Sequence, residues 1–326
     1  MAVAISTYLG GLTMSSKKVV VIGSLNYDIN VKQERMPQKG ETCFGNELIL
    51  GAGGKGSNQA AACALLGLDT AMVGCVGQDL FGAFLKNELR RNGVDVTYVK
   101  ERGSSGTGLV HVMPDGDYYS TVIKGANYLL TEEDIDEAFP VISEANYVIF
   151  QQEIPHHLME YTLNKLEGHD AITILNNAPA KKVKPETLAK IDYLIVNETE
   201  ASFMAEETIE DFAGAAKIGT LLQKSVRKGV VITLGEKGSV AISAGKIYNC
   251  HPCLVNAVDA TGAGDSYIGA FTYGLSTDMG MQENMEFASA VSALTVMNYG
   301  GQSSFPNLKQ VQDYITSNKN SQKLIS

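Results

Sequence analysis

Asp192-Tyr-Leu-Ile-Val-Asn-Glu-Thr-Glu200, DYLIVNETE, joins a short apolar run to a helix-start signal. An apolar run without polar alternation predicts a parallel strand covered on both faces. Asn197 followed three residues later by Glu200 has the spacing of a capping box, the reciprocal side-chain bonding that opens a helix. The stretch therefore reads as one strand feeding one helix, and the same pattern recurs on either side. KKVVVIGS (17–24), TAMVGCVG (70–77), NYVIFQQE (146–153), AITILNNAP (171–179) and GVVITLGEKG (229–238) are further short apolar runs. Helix-like stretches separate them: SNQAAACALLG (57–67), FGAFLKNELRRNG (81–93, closing on Gly93), HHLMEYTLNKLEG (156–168) and FAGAAKIGTLLQKSV (212–226). This alternation predicts an α/β fold, a doubly wound, mostly parallel sheet with helices on both faces.

Two segments break the rhythm. Residues 30–50 and 106–126 read as strands with turns, and the second carries Pro114-Asp115-Gly116 between two alternating runs, a hairpin signal. They are expected to form a small inserted β-sheet, a lid, on an α/β body made of 18–29, 51–105 and 127–318. Residues 1–17 lack a basic start and a cleavage pattern and read as a disordered extension. Residues 319–326 read as a solvated tail.

Composition narrows the function. Hydrophobic residues make up 44% of the 326, enough for a sizeable core, and no stretch approaches a membrane span. A net charge of −10 argues against nucleic acid as a partner. Five cysteines, an odd and sparse count, read as reduced and point to the cytoplasm. Cys250-His-Pro-Cys253 has redox spacing. Its flanks, KIYN and LVNAVDA, read as strands rather than the helix start that redox chemistry needs, so these are expected to be strand-end cysteines.

The carboxyl ends of the apolar runs carry polar groups: Asn26 and Asp28, Glu153, Asn176 and Asn177, Asn197 and Glu200, Thr233 and Gly235. Open α/β sheets bind ligands at that edge. Gly51-Ala-Gly-Gly-Lys-Gly56 matches GxGxxG. A dinucleotide fingerprint belongs to the first βα turn, however, and a Walker A loop needs Ser or Thr where Gly56 stands. The segment reads either as a hinge or as a close backbone approach to a ligand, with Lys55 and Asn58 able to bond hydroxyls. Asp259-Ala-Thr-Gly-Ala-Gly-Asp265 precedes the helical run YIGAFTYGL. The amides of Gly262, Ala263 and Gly264 at that helix start would suit a phosphate and the spread charge of phosphoryl transfer. Asp265 beside them suits a base for an attacking hydroxyl; the alternative is a plain helix cap. For Glu200 two readings stand together, the helix cap and a magnesium ligand acting directly or through water.

In combination, GSLNYD, GAGGKGSNQAA, NNAPA, VNETEA, ITLGEKG, DATGAGDSYIGA and GGQSSFP make residues 18–318 resemble the ribokinases, within the ribokinase-like sugar kinases of PfkB type. The resemblance implies transfer of the ATP γ-phosphate to O5 of D-ribose, with 2-deoxyribose, a nucleoside or a hexose as the alternative acceptor. A nicotinamide oxidoreductase and a catalytically dead sugar-binding regulator are the competitors from other classes. The resemblance implies Asp265 as catalytic base and Gly262, Ala263 and Gly264 as anion hole. Asn26, Asp28, Gly54, Lys55, Asn58 and Glu153 would read the sugar. Asn197, Thr233, Gly235, Gly238, Gly264 and Ser289 would meet the nucleotide, with Ser289 standing where the family often has His or Asn. Glu200 would serve Mg2+. Asp259, Thr261, Thr295, Asn298, Gly300 and Ser304 would hold an activating monovalent cation, K+, with Asn298 in place of a frequent Arg. A homodimer through the lid is implied as well.

Overall fold

The computed structural model describes residues 15–114 and 118–323. Among the described residues, thirteen strands run in chain order β1 Ser15–Ile22, β2 Asn26–Lys32, β3 Glu47–Gly53, β4 Leu68–Val76, β5 Asp95–Glu101, β6 Gly106–Val112, β7 Tyr118–Ile123, β8 Tyr147–Phe150, β9 Ile172–Asn176, β10 Tyr193–Asn197, β11 Gly229–Thr233, β12 Ser239–Ser243 and β13 Lys246–Cys250. The helices are α1 Lys55–Leu65, α2 Leu80–Arg91, α3 Glu132–Ser143, α4 His156–Lys165, α5 Pro185–Leu188, α6 Glu198–Ala205, α7 Phe212–Gln223, α8 Ala263–Ser276, α9 Met281–Val296 and α10 Leu308–Lys323.

Nine strands form one sheet in the order β13-β12-β11-β10-β9-β8-β1-β4-β5. All its pairs are parallel except β11–β12 and β12–β13. Alternation along β1 divides the core: Val19 and Val21 pack in one cluster with α1, α8 and α9, and Val20 and Ile22 in the other with α3, α4 and α7. Both faces are therefore covered, which is why these strands are written as unbroken apolar runs. The chain winds outward from β1 in both directions, to β4 and β5 on one side and to β8 onward on the other. The topological switch point, where open α/β sheets take ligands, thus lies between β1 and β8.

The remaining strands form a four-stranded sheet, β3-β2-β6-β7. β6 and β7 pair antiparallel, as the hairpin signal predicted, while 115–117 of its turn lie outside the described residues. This sheet starts at Asn26 and runs on to Gly53, wider than the 30–50 segment, because β2 and β3 pair along their whole lengths.

At the chain ends, 1–14 of the expected extension lie outside the described residues, whereas Ser15–Lys17 belong to β1. Helix α10 continues to Lys323, past the start of the expected tail. Leu254–Ala260, read above as strand-like, forms no strand.

Candidate functional site

The ends of β1 and β8 meet in a hydrogen bond: the Ser24 hydroxyl donates to Glu153 Oε2 at 2.5 Å. The same oxygen accepts the Lys55 amide at 3.1 Å, so the start of α1 joins the switch point. The Gly-rich segment allows this approach. A Cβ on Gly53 would lie 1.9 Å from Asp28 Oδ2, one on Gly54 2.7 Å from the Asn26 amide nitrogen, and one on Gly56 2.5 Å from the Ser24 nitrogen. Gly54 also holds φ +90 at the helix cap, a conformation suited to glycine. These glycines therefore fit chain against chain and bring Asn26, Asp28 and Lys55 to one place.

At the start of α8, the Ala263 amide donates to the Ala260 carbonyl at 3.2 Å, with Gly262 between them at φ 79 and ψ −2. These are the angles that a type II turn demands of its third residue. The amide set expected for an anion is thereby displaced. Ala263 is used by the turn, whereas the amides of Gly262, Gly264 and Asp265 have no protein acceptor among the described residues. A Cβ on Gly264 would meet no atom within 4 Å, so the protein leaves room above it. Orphan helix-start amides facing open space form an anion site.

The Asp265 carboxylate is buried and held from both sides. Asn58 Nδ2 donates to Oδ2 and Gln59 Nε2 donates to Oδ1, each at 2.9 Å. Burial raises its pKa; Lys55 and the two amides oppose that rise, and Glu153 adds to it. Asp28 is pushed up to about 7, chiefly by burial and then by the charges of Glu153 and Asp265. Three carboxylates and one lysine thus lie close enough to act on one another. Asn127 orients Asn26 by donating to its Oδ1 at 2.7 Å.

Beside the α8 start lies a cleft of about 660 Å³. Thr233, Gly235, Gly238, Pro252, Ala263, Gly264 and Ser289 are among its lining residues. Gly235 at φ 55 and Gly238 at φ 105 bracket a single 3-10 turn that forms its wall. Asn197 is not in the lining; it lies beside Thr233 in the register of β10 and β11.

Glu200 forms the capping box. Its Oε2 accepts the Asn197 amide at 2.9 Å, and Asn197 Oδ1 accepts the Glu200 amide at 2.8 Å. Its pKa is raised by burial, against the Asn197 amide, while Lys55 lowers and Asp265 raises it, so it lies within electrostatic reach of both. Cap and carboxylate within that reach are compatible.

Asp259 Oδ1 accepts the Thr261 amide at 2.9 Å and Oδ2 the Gly300 amide at 3.0 Å. Burial would raise its pKa, but these amides and the Thr261 hydroxyl outweigh burial and hold it low. Ser304 Oγ donates to the Gly301 carbonyl at 2.8 Å. The Thr295 hydroxyl, fully buried, lies within hydrogen-bond distance of Ser266 Oγ (2.9 Å) and Val291 O (3.0 Å) between α8 and α9, with one proton for the two, and Asn298 Nδ2 turns back to the Leu294 carbonyl. These two side chains do not join Asp259, so only their backbones remain to serve a common site there. Among the described residues, no cluster of three His, Cys, Asp or Glu could hold a metal. Cys250 ends β13, and burial pushes its thiol up to about 12, against redox use; all five cysteines are unpaired.

Sequence reasoning missed the glutamines. Gln151 donates to Gln59 Oε1 at 2.7 Å, and Gln59 in turn holds both Asp265 and Asn176. Gln302 holds Asn58. The available signal was a polar Ser-Asn-Gln run inside an alanine-rich helix that is buried throughout that stretch.

The pattern of the family described as pfkB family carbohydrate kinase matches residues 16–308. A ribokinase of Schizosaccharomyces pombe is 35% identical over 93% of this chain and 99% of that one. A deoxyribokinase of Salmonella typhimurium is 31% identical over 92% and 99%. The structure of Arabidopsis thaliana ribokinase complexed with ribose and ATP superposes with a TM-score of 0.85, at 30% identity over 92% and 99%. With a family match along residues 16–308 and relatives above 30% identity over nearly their whole length, the chain belongs to the pfkB family of carbohydrate kinases.

Proposed function

We propose that this protein transfers the γ-phosphoryl group of ATP to O5 of D-ribose. One observation carries the reading: the doubly clamped Asp265 carboxylate follows directly on the open amides at the α8 start, beside a nucleotide-sized cleft and among the polar groups of Asp28, Lys55, Asn58 and Glu153. The relatives agree with it. Asn26, Asp28, Gly54, Lys55, Asn58 and Glu153 bind the sugar. The nucleotide lies along Thr233, Gly235, Gly238 and Ser289, with Asn197 beside them. Asp265 accepts the O5 proton as the hydroxyl attacks, and the amides of Gly262, Gly264 and Asp265 steady the charge on the moving phosphoryl group.

Magnesium needs only one or two carboxylates plus substrate phosphates, and Glu200 fits that need; the ion would neutralise phosphate charge. The Asp259–Thr261 turn, tied to the 295–304 segment, fits a monovalent cation held largely by backbone carbonyls of Asp259, Thr261, Thr295, Asn298 and Gly300 with Ser304. A homodimer through the four-stranded sheet is supported by Leu48, Leu50, Tyr119 and Ile123. By strand register they share the face opposite Asp28, and they are 49–60% exposed. The unpaired cysteines support a cytoplasmic protein, and no described helix is long and apolar enough to cross a membrane.

The test is ADP release from ATP–Mg with D-ribose, with and without K+, using 2-deoxyribose and adenosine as controls. Preferential turnover of ribose, raised by K+, is the expected result. Preference for 2-deoxyribose, the second reading favoured by the deoxyribokinase relative, would replace ribose as substrate. No turnover by folded, ATP-binding protein would sink the kinase reading.

A further inference from the structure

Gln302 stands on a 3-10 turn, Gln302–Ser304, far along the chain from α1 and before the last helix. It is buried, and its amide reaches across to α1, donating from Nε2 to Asn58 Oδ1 and to Ser57 Oγ, both at 3.1 Å. Its own Oε1 accepts Asn92 Nδ2 at 3.4 Å. The Ser57 hydroxyl spends its proton on the Gly53 carbonyl at 2.5 Å, so toward Gln302 it is an acceptor only.

This bonding has a consequence for Asn58. A side-chain amide has one accepting and one donating end. With its oxygen engaged by Gln302, Asn58 must present its NH2 to Asp265, where Nδ2 lies 2.9 Å from Oδ2. Turned over, it would face a carboxylate with its own oxygen, a repulsive contact in a buried place. The other carboxylate oxygen is held by Gln59, which Gln151 fixes in the same way. Each oxygen of Asp265 is therefore held by an amide whose direction is set by a further glutamine.

We infer that Gln302 is a positioning residue for the transfer reaction: through Asn58 it fixes the direction of Asp265, and so ties the 300–304 turn to the base. The inference rests on the reading of Asp265 given above. Gln302 touches neither substrate nor base.

The experiment compares wild type with Gln302→Leu and Gln302→Glu. Folding is checked by thermal melting and ATP binding by calorimetry. In Gln302→Leu, kcat with ribose should fall about 10- to 100-fold, up to the cost of a 1 Å misplacement of a reacting group, with the KM for ATP unchanged. The acid limb of kcat should move to higher pH, because a weakened hydrogen bond to the ionised carboxylate favours its protonation. A role in packing alone would not move that limb. Gln302→Glu keeps the shape but turns donor into acceptor, so it should lose at least as much activity as Leu, with a loss that deepens as pH rises. A second readout needs no turnover: the Asn58 side-chain amide signals in a 15N-labelled sample should shift in either variant. Unchanged acid limb and unchanged Asn58 signals in a folded variant would overturn the inference. If Leu does not fold, Glu alone decides it by the same two readouts. Wild type that turns over no sugar sinks the kinase reading instead, and the Asn58 signals still test whether Gln302 orients that amide.

Discussion

Ser24 Oγ and Glu153 Oε2, just past the ends of the two strands that flank the switch point, are 2.5 Å apart. The bond ties the first turn of the chain to the end of β8, and the Lys55 amide on the same oxygen adds the start of α1. Glu153 thus joins three segments beside the proposed sugar site. Glu153→Gln keeps the shape but removes the charge. The KM for ribose should rise about 10- to 100-fold, the range of a lost hydrogen bond to a charged group, with a smaller change in kcat. Steady-state kinetics on ribose decides it, and an unchanged KM would remove Glu153 from the sugar site.

Asp265→Asn keeps the shape of the side chain, but its single amide oxygen can accept from only one of the donors Asn58 and Gln59, and it cannot accept the O5 proton. The variant should fold and bind ATP while kcat drops about 10²- to 10⁴-fold, the usual share of general-base catalysis. Turnover near wild type would remove Asp265 as the base.

The two glycines of the α8 start separate fold from function. Gly262 sits at φ +79, and a Cβ there would lie 2.7 Å from Phe305 Cε1. Gly262→Ala should therefore lower the melting temperature, with backbone strain alone near 1–2 kcal/mol. Gly264 meets nothing, so Gly264→Ala should melt like wild type yet lose ATP turnover, because the methyl group enters the space read here as the phosphate's. Equal melting losses in the two variants would contradict this division.

The sheet was legible because its strands are buried on both faces and therefore spelled as unbroken apolar runs. Asp265 was legible because glycine density before a helix has few uses besides an anion site. The amides around it were not. Gln59 and Gln302 bond to partners 206 and 244 residues away, a relation only the fold creates. Leu254–Ala260 has strand-like composition, but β13 already edges the sheet and no strand pairs beyond it. The Ala263 amide was misassigned because residue order does not show that Ala260 and Gly262 close a turn on it.

The face of Leu48 and Leu50 tests the assembly. Leu50→Glu places a charge among exposed apolar side chains on the surface opposite Asp28. Light scattering should show a dimer for wild type and a monomer for the variant. A monomeric wild type would dismiss the dimer.

Asp28 gives a pH prediction whose sign follows from linkage. Its pKa rises from 3.8 to about 7 on folding, so between those values the folded chain binds more protons than the unfolded one. Stability then falls as pH rises through that window and is constant above it. The penalty is largest at neutral pH and above, where Asp28 must ionise beside Glu153 and Asp265. Asp28→Asn removes it: the ligand-free variant should melt higher than wild type at pH 7.5, with the gap closing toward pH 4. The same change should raise the KM for ribose, because Asp28 is read as a hydroxyl acceptor. Such opposition of stability and activity is common where a site holds destabilising groups for its ligand. Melting curves across pH 4–8 check it; a gap that widens toward acid would reverse the sign and place the Asp28 pKa below its ordinary value.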